Sequence, residues 1–227
     1  MRRRRRTAVI QSANRLCRRV AILAVPPINE LDVVGPFQVF GTVNRLFGGG
    51  GPPYEIEVVS SVQEESVHGY SGLSILCHLF YQDISDKVDT LLVAGGLGAR
   101  SGGNPEILGW LMRMSKEVRR IGSVCTGAFL LAAAGLLDGK KATTHWAFAD
   151  EFASRFPEVS LDPDPIWLKE GKIYTSAGVT AGMDLALALV EEDLGSKVAL
   201  TIARDLVLFC GGRAVKHSSA DRLKLRP

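Results

Sequence analysis

Arg119-Arg-Ile-Gly-Ser-Val-Cys-Thr-Gly-Ala-Phe-Leu-Leu-Ala-Ala-Ala134 is the stretch whose reading decides the fold. A short apolar strand, Ile121 to Val124, runs directly into an Ala/Leu-rich helix, with Cys125 at the corner. Such a strand-to-helix turn holds its corner side chain out at the carboxyl edge of a sheet. It also aims free backbone N–H groups and the positive end of the helix dipole at that side chain. A thiol in this place is expected to have a lowered pKa and to be partly thiolate near neutral pH. Gly127 and Ala128 keep the corner uncluttered, and Gly122 lets backbone approach from behind. The competing reading is a buried structural cysteine, since free Cys is among the most buried residue types. Small residues on both sides of the corner favour the functional thiol.

Outward from this corner, strands alternate with helices. Val20 to Val25 is a continuous apolar run, the mark of a central strand buried on both faces, and Pro26-Pro27 ends it. Asn29-Glu-Leu-Asp-Val-Val-Gly-Pro36 then opens a helix that Gly48 to Gly51 stops. Tyr54 to Ser60 and Asp89 to Ala94 read as further strands, with Val67 to Cys77 a small hairpin broken by Gly69 and Gly72. Pro105 to Glu117 is a helix with proline at its first turn. A short strand reaches Thr143, and a helix from Thr144 and His145 extends to Phe156. A hairpin turns at Glu170-Gly171, and two last helices follow, Met183 to Leu194 and Ser196 to Phe209. This alternation predicts an α/β, flavodoxin-like three-layer sandwich: a mostly parallel sheet, helices on both faces, and a nucleophile elbow at Cys125.

Charge separates the ends of the chain from its body. Arg2 to Arg6, Arg15, Arg18 and Arg19 place eight positive charges in the first nineteen residues. Setting those aside, with the net four of Gly211 to Pro227, leaves the body at −9 against a formal +3 for the whole 227 residues. Residues 1–19 are therefore expected to be a disordered basic extension, 20–210 the domain, and 211–227 an irregular basic tail. An acidic body does not suit nucleic-acid binding. Cys17, Cys77, Cys125 and Cys210 are scattered, with no zinc-ligand spacing, so neither a metal nor a cofactor is expected and the cytoplasm is the expected location. No apolar stretch is long enough to suggest a membrane span.

Two more positions lie where an open α/β sheet binds ligands, outside the carboxyl ends of its strands. Asp32 follows the first strand, and its bland reading is a first-turn helix acid. Gly95-Gly96 follows the strand ending at Ala94 and offers N–H groups to an anion or developing oxyanion. No GxGxxG and no Gly-Lys-Ser/Thr accompanies it, so a phosphate cradle is not supported.

Five ordered segments together resemble the ThiJ/PfpI superfamily, whose fold is similar to that of class I glutamine amidotransferases. They are Glu30-Leu-Asp-Val-Val-Gly-Pro36, Ala94-Gly-Gly-Leu-Gly98, Ser123-Val-Cys-Thr-Gly127, Ala142-Thr-Thr-His-Trp146 and Thr175-Ser-Ala-Gly-Val-Thr-Ala-Gly-Met-Asp184. One branch of the superfamily, the isonitrile hydratases, adds water to an isonitrile to give an N-substituted formamide. That resemblance implies Cys125 as nucleophile, Asp32 as proton carrier, Thr126 orienting substrate or water, and Gly96 shaping the pocket; Gly95, Gly127 and His145 are the further candidate oxyanion or ligand-binding residues. The other branch is the sensor domain of AraC-type transcription regulators, which binds a small nitrogen-containing metabolite and precedes a helix-turn-helix domain. Glu191 to Phe209 resembles this second branch. The sequence departs from it at Cys210 to Pro227, where no helix-turn-helix fits, so direct DNA binding by this chain is not expected.

Thr126 stands where protease-like members often carry histidine after the cysteine, which argues against peptidase or glutaminase activity. His145 has two readings, a second donor in the pocket or a helix-start residue with a satisfied ring. The regulator-type sensing domain is the preferred expectation and the hydratase the alternative; an oxidation-sensitive thiol is a third. By the same resemblance, the chain is expected to pair as a homodimer.

Overall fold

The computed structural model describes residues 17–84 and 87–208. Its centre is a seven-stranded sheet. In chain order the strands of that sheet and its satellites are β1 (Arg18–Ala24), β2 (Tyr54–Ser60), β3 (Ser66–His68), β4 (Ser74–Leu76), β5 (Leu79–Phe80), β6 (Thr90–Val93), β7 (Arg120–Val124), β8 (Lys141–Ala142), β9 (Ser160–Leu161), β10 (Trp167–Glu170) and β11 (Ile173–Ser176). The large sheet runs β10-β11-β7-β6-β1-β2-β5, while β3 pairs with β4 and β8 with β9 in two small sheets. Every pairing in the large sheet is parallel except the β10–β11 hairpin at its edge.

The helices are α1 (Glu30–Phe47), α2 (Leu97–Arg100), α3 (Pro105–Glu117), α4 (Gly127–Ala133), α5 (Ala149–Arg155), α6 (Ala181–Leu194) and α7 (Ser196–Asp205). Strand β1 shows why the apolar runs end up central. Its residues Val20 to Ala24 are all fully buried. Ala21 and Leu23 point into the layer that holds α3, α4 and α5, and Val20, Ile22 and Ala24 into the layer of α1, α6 and α7. Each fully buried Leu or Ile contributes roughly 1.5–3 kcal/mol. The flavodoxin-like three-layer sandwich expected from the sequence is the fold.

Helix α3 illustrates how local sequence sets a boundary. Asn104 caps it by accepting the Ile107 N–H at 2.9 Å, and Pro105 fills the first helical position, where no N–H is needed. Ile107, Trp110, Leu111 and Met114, at helical spacing, are its buried face.

Three expected boundaries move. Arg18 and Arg19 belong to β1, not to a disordered extension, because each gains an acidic partner in the fold. Arg19 bonds Glu57 at 2.8 Å, and Arg18 lies 3.5 Å from the buried Asp193. The helix expected from Thr144 is a 3-10 turn over Trp146–Phe148 followed by α5, because the Thr143 N–H is held by Thr175 of β11 and the Thr144 hydroxyl by the Cys125 carbonyl. Helix α7 ends at Asp205; Phe209, residues 1–16 and the tail 211–227 lie outside the described residues. No helix among the described residues is long and apolar enough to cross a membrane.

Candidate functional site

The elbow is built as the sequence reading expects, and its backbone is strained. Cys125 sits at φ 58°, in the left-handed region that costs a non-glycine residue about 1–2 kcal/mol. Its own N–H donates to the Ser176 carbonyl at 3.0 Å, and its carbonyl accepts the Thr144 hydroxyl at 3.0 Å. Strands β7 and β11 and the segment after β8 thus fix the corner from both sides. Two glycines complete it by close approach. A Cβ on Gly178 would lie 2.2 Å from Cys125 Cβ, and one on Gly95 would lie 2.7 Å from Cys125 Cβ and 2.6 Å from Asp32 Oδ2.

That second pair of distances brings Asp32 and Cys125 together across Gly95. Asp32 is fully buried near the start of α1. Its Oδ1 accepts the Val179 N–H at 2.8 Å, and Val179 is itself held at φ 52° to make that bond. Its Oδ2 has no hydrogen-bond partner. The Gly95 N–H and the Cys125 thiol lie near enough to ease the charge there, but neither makes a bond of normal geometry to it. Burial is the dominant influence and pushes the carboxyl up to about 6, against the Val179 bond that lowers it.

The thiol departs from the sequence expectation. Cys125 is 4% exposed, and burial first, then the charge of Asp32, push it up to about 12; the Thr126 backbone N–H acts in the opposite direction and is outweighed. An elbow in a sequence shows where the helix N–H groups point but not how completely the corner is enclosed. Desolvation wins over the short α4 helix.

The other expected site residues divide. Thr126 and Gly96 are occupied with each other: the Gly96 N–H donates to Thr126 Oγ1 at 2.9 Å, and the Thr126 hydroxyl donates back to the Gly96 carbonyl at 3.0 Å. The Gly96 N–H is therefore not a free oxyanion donor, and Thr126 positions the Gly95–Gly96 wall instead of orienting a ligand with a spare hydroxyl. Gly127 packs against the end of β6, where a Cβ would meet the Val93 carbonyl at 2.1 Å, so close packing is what it provides. His145 turns its Nδ1 to the Ala147 N–H at 3.2 Å and its ring against Trp146, and it makes no hydrogen bond to Cys125. That Nδ1 bond is the helix-start contact of the first turn after β8. Among the described residues no group of three or more His, Cys, Asp or Glu side chains is placed to hold a metal ion.

Sequence reasoning overlooked three contributors: Gly178, Val179 and Thr144. The small-residue run Ala177 to Gly182 marked a loop, but nothing local shows that its Val179 N–H reaches Asp32, 147 positions earlier.

Comparison with known proteins matches the chain to the DJ-1/PfpI family over residues 18–192. It is 30% identical to the isonitrile hydratase of Pseudomonas putida over 190 residues, 82% of this chain and 77% of that protein. It is 33% identical to the HTH-type transcriptional regulator CdhR of Pseudomonas aeruginosa, over 61% of this chain and 40% of that protein. A crystal structure of a ThiJ/PfpI family protein from Pseudomonas syringae superposes with TM-score 0.73 at 27% identity, covering 84% of this chain and 75% of that one. The chain belongs to the DJ-1/PfpI family.

Proposed function

We propose that this DJ-1/PfpI domain is the amidotransferase-like sensing domain of an AraC-type transcription regulator, binding a small nitrogen-containing metabolite at the corner that Asp32 and Cys125 form. The observation that carries this reading is the buried Asp32 oxygen that lacks a hydrogen-bond partner beside the enclosed Cys125. With Cys125 pushed up to about 12, almost none is thiolate near neutral pH, so the resting site holds little nucleophile. Asp32 meanwhile presents a buried, unpartnered carboxylate oxygen, an acceptor suited to a ligand N–H. No Lys or Arg side chain bonds either residue among the described contacts, which favours a cationic or neutral ligand over an anion.

A second reading, the isonitrile hydratase-like enzyme, is favoured by one feature: Asp32, pushed up to about 6 beside Cys125, titrates near neutrality as a general acid or base should. In that chemistry the Cys125 sulfur bonds to the isonitrile carbon, which takes a proton, giving a thioimidate. Water then adds to its carbon, the carbon–sulfur bond breaks, and an N-substituted formamide leaves with the thiol restored.

The reading also includes a cytoplasmic location and a homodimer. The face that would serve is outside the Cys125 corner, where exposed Val34 and Leu76 join Val33, Phe37, Val58 and Ile75 in lining a groove of about 140 Å³. Sedimentation at micromolar concentration tests it, a monomer overturning the pairing.

The discriminating experiment pairs two assays. A panel of small amines, amides and quaternary ammonium compounds is screened by thermal shift against the wild type and Asp32→Asn. A small alkyl isonitrile is followed to formamide with Cys125→Ser as control. Stabilisation that Asp32→Asn loses, with no formamide, supports the sensor. Repeated turnover that Cys125→Ser loses contradicts it and establishes the hydratase.

A further inference from the structure

The hairpin of β3 and β4 contributes no residue to the Cys125 corner, yet a chain of hydrogen bonds ties it there. Glu30, 8% exposed, accepts both the N–H of Ser71, at 3.1 Å, and the Ser71 hydroxyl. The fit leaves no room for a side chain at Gly69, where a Cβ would sit 2.0 Å from the Glu30 carboxyl. The hydroxyl bond from Ser71 is the main cause holding Glu30 below the usual carboxylate range.

From the hairpin the order passes inward. The Ile28 N–H donates to the His68 carbonyl at 3.1 Å, and the Tyr70 N–H donates to the Ile28 carbonyl at 3.2 Å. Ile28 bridges Gly69 on one side and Gly96 on the other. The Asn29 N–H bonds the Gly95 carbonyl at 2.9 Å, and Gly96 is locked to Thr126, the neighbour of Cys125. Glu30 thus stands at the outer end of a relay whose inner end is the wall that encloses the thiol and Asp32.

We propose that Glu30 is a positioning residue: by fastening Ser71 it clamps the hairpin onto Ile28 and so presses the Gly95–Gly96 wall against Thr126 and Cys125. Neither Glu30 nor Ser71 touches the corner, so the effect is indirect and independent of whether the site senses or turns over a ligand. Releasing the clamp admits water to Cys125, weakens the burial that raises its thiol, and returns the thiol toward the ordinary 9.0.

The test needs no ligand. Alkylation of Cys125 by iodoacetamide is followed by peptide mass spectrometry across a pH series for wild type, Glu30→Ala, Glu30→Gln and Ser71→Ala. Each unit by which the thiol pKa falls raises the thiolate fraction at mildly alkaline pH about tenfold and, because a less basic thiolate is a weaker nucleophile, the rate about three- to fourfold. Glu30→Ala is expected to give a rise of at least that size with its pH profile displaced downward, and Ser71→Ala a smaller one. Glu30→Gln, whose amide oxygen still accepts from Ser71, is expected to stay near wild type. Hydrogen exchange over residues 66–76 and 95–96 should quicken in step. Unchanged alkylation in both Glu30→Ala and Ser71→Ala overturns the proposal, as does a Glu30→Gln rise equal to that of Glu30→Ala. If Glu30→Ala does not fold, Ser71→Ala decides by the same readout.

Discussion

At the amino edge of the sheet, Arg120 is 2% exposed and fully engaged. It donates to Thr90 Oγ1 at 2.8 Å, to the Leu189 carbonyl at 3.3 Å and to the Asp193 carboxylate, which also takes Arg119 at 2.8 Å and the Tyr54 hydroxyl at 3.0 Å. At the carboxyl edge, Asp32 is just as buried and has a single hydrogen bond, from Val179; its second oxygen has none. The first arrangement is how a fold tolerates buried charge, by pairing it and surrounding it with hydrogen bonds. The second keeps a cost that the fold does not need. Buried ionisable groups with unmet bonding capacity mark places where something outside the fold completes the set. The contrast is what singles out the Asp32 end of the sheet for the proposed site.

The sharpest way to break the contrast is to remove one acid from each end. Asp193→Ala leaves Arg120 with Glu192, 3.4 Å away, as its remaining carboxylate partner, and urea denaturation is expected to show a loss of about 3 kcal/mol. Asp32→Asn should act in the opposite direction. The folded carboxyl titrates at about 6 against an ordinary 3.8, so the fold is unburdened below 3.8 and loses stability as pH rises through 6. Neutralising it is expected to add on the order of 3 kcal/mol at neutral pH, with the gain fading as pH falls toward 3.8. A loss of stability in Asp32→Asn at neutral pH would erase the distinction between the two edges.

Smaller changes sharpen it. Gly178→Ala forces a Cβ to within 2.2 Å of Cys125 Cβ at a backbone with φ 92°, and is expected to cost roughly 1–3 kcal/mol. Thr144→Val removes the hydroxyl that braces the Cys125 carbonyl and should cost about 1 kcal/mol in the same denaturation assay.

Much of this was legible in the sequence. Apolar runs, breakers and the elbow gave β6, β7 and α3 almost to the residue, because periodicity and capping are local properties. Asp32 and Cys125 were legible as candidates because both follow strand ends. What the sequence concealed are quantities set by distant parts of the chain. Whether the Gly96 N–H is free depends on Thr126, thirty positions away. Whether the Cys125 thiol is acidic depends on enclosure by Gly95 and Gly178, which no pattern around the cysteine reports. The Arg18–Arg19 pair reads as part of a basic run until Asp193 and Glu57 are seen beside it.

The most direct measurement is a pH titration of the Cys125 thiolate, read as the ultraviolet absorbance difference between the wild type and Cys125→Ser. The structure predicts no thiolate near neutral pH and a signal rising only as pH approaches about 12. A midpoint at or below the ordinary 9.0 would contradict the enclosed, protonated thiol.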